Sequence, residues 1–449
     1  MSMLDIDKSK FVLINDSDIV INDVAFETKE IGYYLDAWHR FKKNRASVVA
    51  FIIICILFFF VLVGPYMKAY TKPSNPADGT KLGYLPPKIP VLEKLGIFDS
   101  HKSITRGKNF LVTLYNSPFG NDVIIDGMPL ELTDDDPTND SIYDDAYELT
   151  VTVDMYLYVD YINSYLDENN SYDSVKKILS KTEFEDALSQ NLVIDVLSVS
   201  PDGNTYIVRV DFFKYVLNQT PEDTYFWFGT NIDGSDLFTM LWSGARISLI
   251  MALSVVIINS IIGLTVGAIA GYYGGIFDLL FLQFVDILGG IPFMAVLTLL
   301  VIRYGSAMWV ILMAFTITGW MGSYGMARMQ FYRFKNREYI LAARTLGARD
   351  SRIMFKHIFP NAIGYMVTSF ALAIPGFVFT EASYSYLGII NYSNAVSVGM
   401  LLEQGQQVMQ NYPHTLVFPA LYIAILMIAF NLFGNGLRDA FNPSLRGTE

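Results

Sequence analysis

The stretch ASVVAFIIICILFFFVLVGPYM, residues 46–67, decides the architecture of this chain because it contains no charged residue. About 20 apolar residues cross the ~30 Å hydrocarbon core of a bilayer as a helix. The run starts 45 residues into the chain and lacks a small-residue cleavage site, unlike a secretory signal peptide. We therefore predict that residues 46–66 form a retained transmembrane helix, preceded by a cytoplasmic segment, 1–45.

Five more apolar stretches follow a long polar interval, and together they predict a bundle of six membrane-spanning helices. Their approximate bounds are 245–272, 277–302, 307–329, 361–388 and 413–435. Gly289, Gly290 and Pro292 should interrupt the second of these stretches, and Pro375-Gly376 the fourth. Neighbouring helices can satisfy the backbone groups that such breaks free.

Small residues recur at spacings of three and four in the first of these five stretches. They are Gly263, Gly267, Ala268, Ala270 and Gly271. Such a pattern suits close helix–helix approach, and we favour packing over ligand contact as its role.

Composition agrees with a membrane protein and excludes several other classes. Charged residues make up 17% of the chain, against about 25% in a typical globular protein, and mean hydropathy is +0.33. The single cysteine, Cys55, excludes a disulfide framework, and the four histidines lie too far apart in sequence to suggest a metal site. A net charge of −12 disfavours nucleic acid as a partner.

Charge is distributed unevenly along the chain, and this sets the predicted orientation. Residues 328–356 hold eight basic and two acidic residues, whereas residues 67–240 hold 13 basic and 28 acidic residues. Loops rich in lysine and arginine stay in the cytoplasm. We therefore expect both termini and the loop 331–360 on the cytoplasmic side, and residues 67–240 outside.

The polar interval 67–228, which we call the insert, is long enough to form a domain between the first and second spans. Partial alternation in Tyr147–Ile162 predicts a strand, and Asp173–Gln190 is typical of a helix. Two β-rich runs flank the turn sequence Pro-Asp-Gly-Asn at 201–204, which predicts a β-hairpin. We predict an α+β extracytoplasmic domain.

An acidic cluster in the insert has two interpretations. Its members are Asp134, Asp135, Asp136, Asp140, Asp144 and Asp145. Carboxylates at this density can bind calcium, yet the alternating ligand pattern with a glycine and a distal glutamate is missing from the sequence. We favour a solvated acidic loop over a calcium site.

The sequence carries no recognisable catalytic motif. The phosphate loop G-x-x-x-x-G-K-[ST], the G-x-S-x-G elbow and the H-E-x-x-H zinc motif are all missing from it. Asp286 and Glu381 lie well inside predicted spans, but their estimated depths differ, which disfavours a dyad that shares one proton. An ionisable residue in a span indicates a transport pathway or gate, or else it bonds a backbone group of the bundle. Asp286, Pro292 and Glu381 are our candidates for a pathway or gate.

The most informative stretch is EYILAARTLGARDSRIMFKHIFPN, residues 338–361, which we call the loop hairpin. Tyr339–Leu346 is helix-prone, and Gly347 can adopt a positive φ that ends this helix. Asp350 is expected to cap a second helix, which runs back to the membrane and ends at Pro360. The stretch therefore predicts a basic helix-turn-helix at the membrane surface.

The loop hairpin resembles the cytoplasmic loop of ABC importer permeases, whose pattern is EAA, three residues, Gly, nine residues, then I-x-L-P. Ala342, Ala343, Gly347 and Pro360 occupy matching places, while Leu341 replaces the family's glutamate.

Further motifs resemble the oligopeptide and dipeptide branch of that family, and within it the C-type subunit. They are Gly347-Ala348, His357 to Asn361, Gly229 to Asp236, Gly244 to Leu249, Gly271 to Gly275, Val285 to Pro292, Glu381 to Gly388 and Gly436 to Pro443. The resemblance covers about 40–60 and 229–443, and the large insert is the main departure from the family.

The resemblance implies a six-helix type I ABC importer transmembrane domain with a permease core, 229–449, in a bacterial plasma membrane. The implied function is uptake of oligopeptides or dipeptides, with a homologous second permease, two ATPase subunits and an extracytoplasmic peptide-binding protein as partners. ATP and Mg²⁺ would bind to the ATPase subunits, and this chain would hold no cofactor, metal or catalytic residue. The residues that couple to the ATPase would be Tyr339, Ala342, Ala343, Gly347, Ala348, Asp350, His357 and Pro360. The amphipathic stretch Tyr33–Arg45 resembles the family's interfacial elbow helix, which lies on the lipid bilayer.

Three alternatives remain at this point. Importers for nickel or glutathione share these motifs with peptide importers. A transmembrane regulator with an outer sensor domain would share the acidic insert, but it would not need Gly347 at this offset in a basic hairpin. A membrane enzyme would need a catalytic cluster, and the sequence suggests none.

Overall fold

The computed structural model describes residues 33–67, 73, 75–129, 148–165, 175–393 and 395–441. The acidic cluster predicted at 134–145 lies outside these residues. Within them, the chain forms a bundle of long helices with an α+β unit joined to one end.

The helices and strands follow one another in an order that separates these two parts. The helices are α1 (Tyr33–Lys43), α2 (Arg45–Met67), α3 (Pro76–Lys81), α4 (Lys108–Tyr115), α5 (Gly120–Val123), α6 (Met155–Ser164), α7 (Lys181–Ser189), α8 (Phe212–Leu217), α9 (Leu237–Tyr273), α10 (Gly275–Gly289), α11 (Phe293–Tyr304), α12 (Met308–Phe334), α13 (Glu338–Thr345), α14 (Asp350–Arg352), α15 (Phe359–Tyr386), α16 (Val398–Val408) and α17 (His414–Phe441). The strands are β1 (His101–Gly107), β2 (Ile124–Asp126), β3 (Glu148–Asp154), β4 (Lys177–Ser180), β5 (Val193–Val199) and β6 (Thr205–Val210). All six strands therefore belong to the insert.

The bundle contains the predicted spans. Helices α2, α9, α12 and α17, and the continuous helix Asp350–Tyr386 that includes α14 and α15, are each long and apolar enough to cross a membrane. Helices α10 and α11 meet at 69° and complete six spans if the pair counts as one. Their break falls at Gly290 and Pro292, as predicted. Pro292 directly precedes α11, where its missing N–H group removes no internal hydrogen bond of the helix. The six-helix prediction is confirmed with one broken span.

The prediction that Pro375 and Gly376 break the fourth stretch is wrong. Helix α15 runs through both residues without interruption. Pro375 is buried in the bundle, where neighbouring helices and local adjustment compensate for the missing N–H group.

The small residues of α9 serve helix packing, as predicted. A Cβ added to Gly267 would overlap the carbonyl oxygen of Tyr324, and one added to Gly271 would overlap that of Arg328. Backbones therefore approach closely along the α9–α12 contact, and a larger residue at either position would push the two helices apart.

The first helix, α1, covers the stretch predicted as an elbow and packs beside the last span. Ala37 and Phe41 of α1 are buried against α17, and the rings of Phe41 and Phe433 lie 5.6 Å apart. Trp38 stays exposed, with the Lys42 ammonium 5.1 Å from its ring centroid. Such a pairing of an aromatic with a cation suits the headgroup zone of a bilayer.

The insert holds two three-stranded antiparallel sheets, with strand orders β1-β3-β2 and β4-β6-β5. Strands β5 and β6 form the predicted hairpin, and Gly203 in the turn between them has a φ of 69°. The first sheet packs on a core rich in aromatic residues, including Tyr156, Phe212, Phe213 and Phe226. The α+β prediction agrees with this arrangement.

Two elements of the insert differ from our predictions. The strand in Tyr147–Ile162 ends at Asp154, whose carboxylate accepts hydrogen bonds from Tyr156 N–H and Leu157 N–H and so caps helix α6. The described part of Asp173–Gln190 is strand β4 followed by helix α7, because Ser180 and Glu183 form a capping box that starts the helix late. In both cases a capping side chain decides the boundary.

Candidate coupling hairpin and transport cavity

The loop hairpin forms at the end of the bundle opposite the insert. Helix α13 ends at Thr345, and Gly347, with a φ of 81°, reverses the chain toward α14. Only glycine adopts this backbone conformation without strain. The predicted first helix and its glycine turn are thus present.

One side of the loop hairpin is anchored in the bundle. Ile340, Ile353 and Ile358 are fully buried, in a cluster that also contains Tyr272 of α9 and Phe331 of α12. Burial of apolar surface contributes about 25 cal/mol of folding free energy per Å². The three isoleucines therefore hold the loop hairpin to α9 and α12.

The other side faces outward. Ala342 and Gly347 are exposed, Ala343 and Ala348 are half-buried, and the side chain of Leu346 at the turn is 87% exposed. Phe355 on the following turn is 71% exposed. A large apolar tip of this kind, bordered by small residues, is typical of a surface that another protein covers.

A hydrogen-bond network ties the loop hairpin to the end of α9. Tyr272 Oη donates to Asp350 Oδ1 at 2.6 Å, and Arg344 Nη2 donates to Tyr272 Oη at 3.3 Å. The helix begins at Asp350, and Arg349 is its N-cap. The prediction of a cap at Asp350 is therefore wrong, and the Asp350 carboxylate accepts from Tyr272 instead.

The end predicted at Pro360 is also wrong. A π-helical turn, Ile353–Ile358, leads into α15, and Phe359 N–H donates to Met354 O across it. Pro360 then stands in the first turn of α15, where its missing N–H costs little. His357 is half-buried on the π-helical turn, and Tyr339 is exposed on α13. The second helix of the loop hairpin and the span that follows it therefore form one continuous helical rod, Asp350–Tyr386.

An ion pair that our sequence analysis missed lies near the same end. Arg328 of α12 donates to both carboxylate oxygens of Asp278 in α10, with Nη2–Oδ2 at 2.7 Å. Asp278 is buried, so the pair joins α10 to the α9–α12 unit. The sequence signal for this ion pair was an acidic residue at the start of the predicted span 277–302 and a basic residue at the end of the span 307–329.

The candidate gate residues lie in different surroundings. Asp286 is exposed on α10, and Pro292 marks the α10–α11 break. Glu381 is fully buried, and its carboxylate accepts hydrogen bonds from Ser248 Oγ of α9 at 2.9 Å and Ser385 Oγ at 3.1 Å. Glu381 therefore joins α9 to α15 near the insert end of the bundle, and it does not share a proton with Asp286.

A cavity of about 500 Å³ lies between α9, α12 and α15. The residues that line it are, in chain order, Val255, Val256, Asn259, Ser260, Phe315, Gly319, Gly322, Ser323, Met326, Met329, Tyr365, Ser369, Phe370, Ala373, Gly376, Phe377 and Thr380. None of these described residues is charged. The volume falls in the range of small-ligand sites, about 300–1,000 Å³.

Asn259 is a buried polar residue of this cavity that sequence analysis missed. Its Nδ2 donates to the carbonyl oxygen of Phe315 at 3.3 Å, while its Oδ1 has no hydrogen-bond partner among the described residues. An unsatisfied buried acceptor costs about 1–3 kcal/mol. A single asparagine in an apolar helix was its only sequence signal.

Comparison with known proteins identifies the family. Residues 263–447 match the family model "Binding-protein-dependent transport system inner membrane component", and residues 32–87 match "N-terminal TM domain of oligopeptide transport permease C". The two matches cover α1, α2 and the bundle from residue 263 onward, and they leave out most of the insert and the first part of α9.

Individual relatives agree with these family matches. The chain is 40% identical to the oligopeptide transport system permease protein OppC of Bacillus subtilis over 220 residues, which are 49% of this chain and 72% of the relative. It is 38% identical to the dipeptide transport system permease protein DppC of the same organism over 221 residues, 49% of this chain and 69% of the relative. It is also 33% identical to the glutathione transport system permease protein GsiD of Pectobacterium atrosepticum over 237 residues, 53% of this chain and 78% of the relative. The chain is therefore a multi-pass membrane protein that belongs to the binding-protein-dependent inner membrane permeases, among the C-type subunits of oligopeptide and dipeptide ABC importers.

Proposed function

We propose that this chain is the permease subunit through which an ATP-driven importer takes up oligopeptides or dipeptides that an extracytoplasmic binding protein delivers. The observation that carries the proposal is the loop hairpin, anchored by buried isoleucines on one side and exposing Leu346 and the Ala342–Ala343 spot on the other. A surface that is rigid toward the bundle and apolar toward the outside suits transmission of force from a partner protein.

The proposed partner at the loop hairpin is one of two ATPase subunits, which would bind ATP and Mg²⁺. The sequence contains no phosphate loop, and the proposal therefore assigns ATP hydrolysis to another chain. Movement of the hairpin would reach α9 through the Tyr272–Asp350 hydrogen bond and α15 through the continuous helical rod. ATP binding would then favour one packing of the bundle over another by differential contacts.

The cavity supports a second permease subunit as the partner within the membrane. Three helices of this chain supply only one wall, and a homologous subunit would supply the other. The exposed apolar residues of α10, among them Ile276, Leu279 and Ile287, supply further surface for that subunit or for lipid.

The proposed orientation places the loop hairpin and both termini in the cytoplasm of a bacterial cell, and residues 67–240 outside its plasma membrane. Charge supports it, because the basic residues cluster at the hairpin end and the acidic ones in the insert. The insert would then face the binding protein.

Reconstitution tests the proposed function. The chain is co-expressed with candidate ATPase, second-permease and binding-protein subunits, and the complex is placed in proteoliposomes. We expect uptake of radiolabelled peptides that requires both ATP inside and binding protein outside. An assembled, ATP-hydrolysing complex that takes up no peptide from a mixture of two to five residues in length would contradict the proposal.

Glutathione is the second candidate substrate, favoured by the glutathione permease relative. It is itself a short peptide, so the same cavity suits both. Uptake measured side by side decides between them: if glutathione is the substrate, radiolabelled glutathione should enter the proteoliposomes and peptides of two to five residues should not.

A further inference from the structure

We infer that the outer face of α10 packs against a membrane-spanning helix of the second permease subunit, and that this helix supplies hydrogen-bond donors to Gln283 and Asp286. The inference rests on the proposed function and adds to it the place and the chemistry of the contact between the two permeases. Two observations combine here. Both polar side chains are exposed in an apolar helix face, and neither has a hydrogen-bond partner in the described part of the chain.

Helix α10 carries both residues near the middle of the bilayer. It begins at Gly275, shortly after the tyrosine, Tyr272, that bonds the loop hairpin, so it enters the hydrocarbon core from the hairpin end. At a rise of 1.5 Å per residue, Gln283 and Asp286 lie about 12 and 16 Å along the helix, close to the centre of a core ~30 Å thick. A carboxylate that faces lipid at this depth is strongly unfavourable.

The inner side of α10 is already occupied by this chain. Its residues Phe281, Val285 and Leu288 pack against the cluster that contains Trp320 and Tyr324 of α12. No described residue of α10 lines the cavity between α9, α12 and α15. Whatever satisfies Asp286 therefore approaches the outer face of α10 and does not come from that cavity.

The outer face of α10 has the form of a helix-packing surface. Ile276, Leu280 and Ile287 are 63–77% exposed, and with Gln283 they follow one another at spacings of three and four residues. Gln283 thus lies within the apolar row, and Asp286 lies three residues further along. An apolar row with a polar side chain in it is typical of membrane helices that associate, because the polar group bonds across the contact.

Other exposed polar residues of the spans need no partner. The hydroxyl groups of Thr265, Thr380 and Ser383 each donate to a carbonyl oxygen of their own helix, at 2.7–2.8 Å. The carboxylate of Asp286 can only accept, and the N–H groups in the middle of a helix are already paired with its own carbonyl oxygens. Its donor must therefore come from outside this helix.

The required donor identifies the occupant as a homologous subunit and not as lipid or a second copy of this chain. Lipid tails offer no donor. A second copy that packed through the same face would bring another carboxylate to the same depth, and like charges repel strongly where the dielectric is low. A homologous permease with a cationic or N–H donor at mid-membrane depth matches the face and excludes self-pairing.

The test measures association of the two full-length permeases in liposomes. Each carries a fluorophore at its C-terminus, and energy transfer between them is recorded as lipid is added. The readout is the protein-to-lipid ratio at which transfer is half-maximal. In the complete importer, p-benzoylphenylalanine placed at Gln283 is photoactivated, and the cross-linked partner is identified by mass spectrometry.

We expect Asp286→Leu to raise the half-maximal ratio roughly tenfold, because a hydrogen bond to a charged group is lost. Gln283→Leu should raise it by about threefold, as for a neutral bond between membrane helices. Both variants should insert normally, since leucine is the more apolar residue. Thr265→Leu is the matched control: it removes an exposed polar group that bonds its own helix, so the wild-type ratio should persist. The probe at Gln283 should cross-link to the second permease.

A half-maximal ratio of Asp286→Leu equal to that of the wild type would overturn the inference. Cross-links from Gln283 that reach only lipid, transported peptide or a second copy of this chain would overturn it as well. In each of these cases, peptide uptake by the wild-type importer would still support the proposed function. Absence of any association between the wild-type chain and a second permease, together with absence of peptide uptake, would instead overturn both.

Discussion

The ring of Tyr84, at the start of the insert, stacks on the ring of Tyr412, in the connection between α16 and α17, with centroids 4.3 Å apart and planes 12° from parallel. The Lys102 ammonium lies 3.9 Å from the Tyr412 centroid. Beside them, Leu85 N–H donates to Thr230 Oγ1 at 2.8 Å, and Thr230 N–H donates to Leu85 O at 3.0 Å. These contacts of Tyr84, Leu85 and Lys102 with Thr230 and Tyr412, which we call the clamp, hold the insert against the end of the bundle. The insert is therefore packed on the bundle and not merely connected to it by the chain.

Removal of the Tyr412 ring should loosen that clamp. Aromatic stacking contributes about 0.5–1.5 kcal/mol and a cation over a ring about 0.5–1 kcal/mol, so Tyr412→Ala should lose both. We expect faster hydrogen exchange in strand β1 and around Leu85 of the full-length protein. Tyr412→Phe keeps the ring and should exchange like the wild type; equal protection in the alanine variant would show that the stack does not hold the insert.

Gly347→Val should uncouple ATP hydrolysis from transport. Valine at a φ of 81° is strained by roughly 1–3 kcal/mol, which the turn can relieve only by changing the angle between α13 and α14. About 1.4 kcal/mol corresponds to a tenfold change in an equilibrium, so peptide uptake should fall by about tenfold or more while the protein remains in the membrane. Gly347→Asn is the control, because asparagine tolerates this conformation better than valine does. Normal uptake by the valine variant would contradict the coupling role of the loop hairpin.

Cysteine labelling should reveal the proposed orientation. In a Cys55→Ser background, Asp202→Cys or Asp140→Cys should react with a membrane-impermeant maleimide in intact cells. Arg349→Cys should react only after permeabilisation, since it lies in the loop hairpin. The reverse pattern would place the hairpin outside, where no ATPase could reach it.

Acid should stabilise the insert through Asp160. Burial raises the pKa of this carboxyl to about 6, against the hydrogen bonds from Phe213 N–H and Ser164 Oγ, which lower it. In the unfolded chain its pKa is about 3.9. Between these values the folded state binds the proton more strongly, so the stability of the insert rises as pH falls from about 7 to 4.

The variant Asp160→Asn should lose this pH dependence, because its side chain stays neutral at every pH while it keeps an oxygen for the Phe213 N–H. Hydrogen exchange of the insert is compared between the wild type and the variant at pH 5 and at pH 7.5, so that intrinsic exchange rates cancel. The variant should be better protected than the wild type at pH 7.5, and the difference should shrink at pH 5. A difference that does not change with pH would exclude Asp160 as the titrating group.

What the sequence predicts well in this chain is local. The spans follow from apolar runs, the turn at Gly347 from the one residue that accepts its φ, and the β5–β6 hairpin from its turn residues. The Tyr272–Asp350 hydrogen bond joins residues 78 positions apart, and the unpaired Oδ1 of Asn259 depends on the packing of α9 against α12, so neither is visible before the chain is folded. The errors at Pro360 and Pro375 share one cause: a proline ends a helix only where the surroundings cannot compensate for its missing N–H.

The insert should act as a docking surface for the binding protein. The region 67–240, which contains the insert, carries 28 acidic against 13 basic residues, and such charge mainly speeds encounter with a partner of opposite charge. The predicted insert begins at residue 67, but Tyr84 and Leu85 of the clamp lie against the bundle, and Lys88 N–H donates to Phe226 O. A variant in which a short Gly/Ser linker replaces Val91 to Thr220 should therefore assemble with the ATPase, whereas removal of Asp78 to Glu222 should impair assembly because it deletes the clamp.

In the shorter deletion, peptide uptake should weaken chiefly at low binding-protein concentration and low salt, where electrostatic attraction is least screened. Uptake that matches the full-length importer across a titration of the binding protein would contradict docking and leave the insert as a cap that stabilises the outer face.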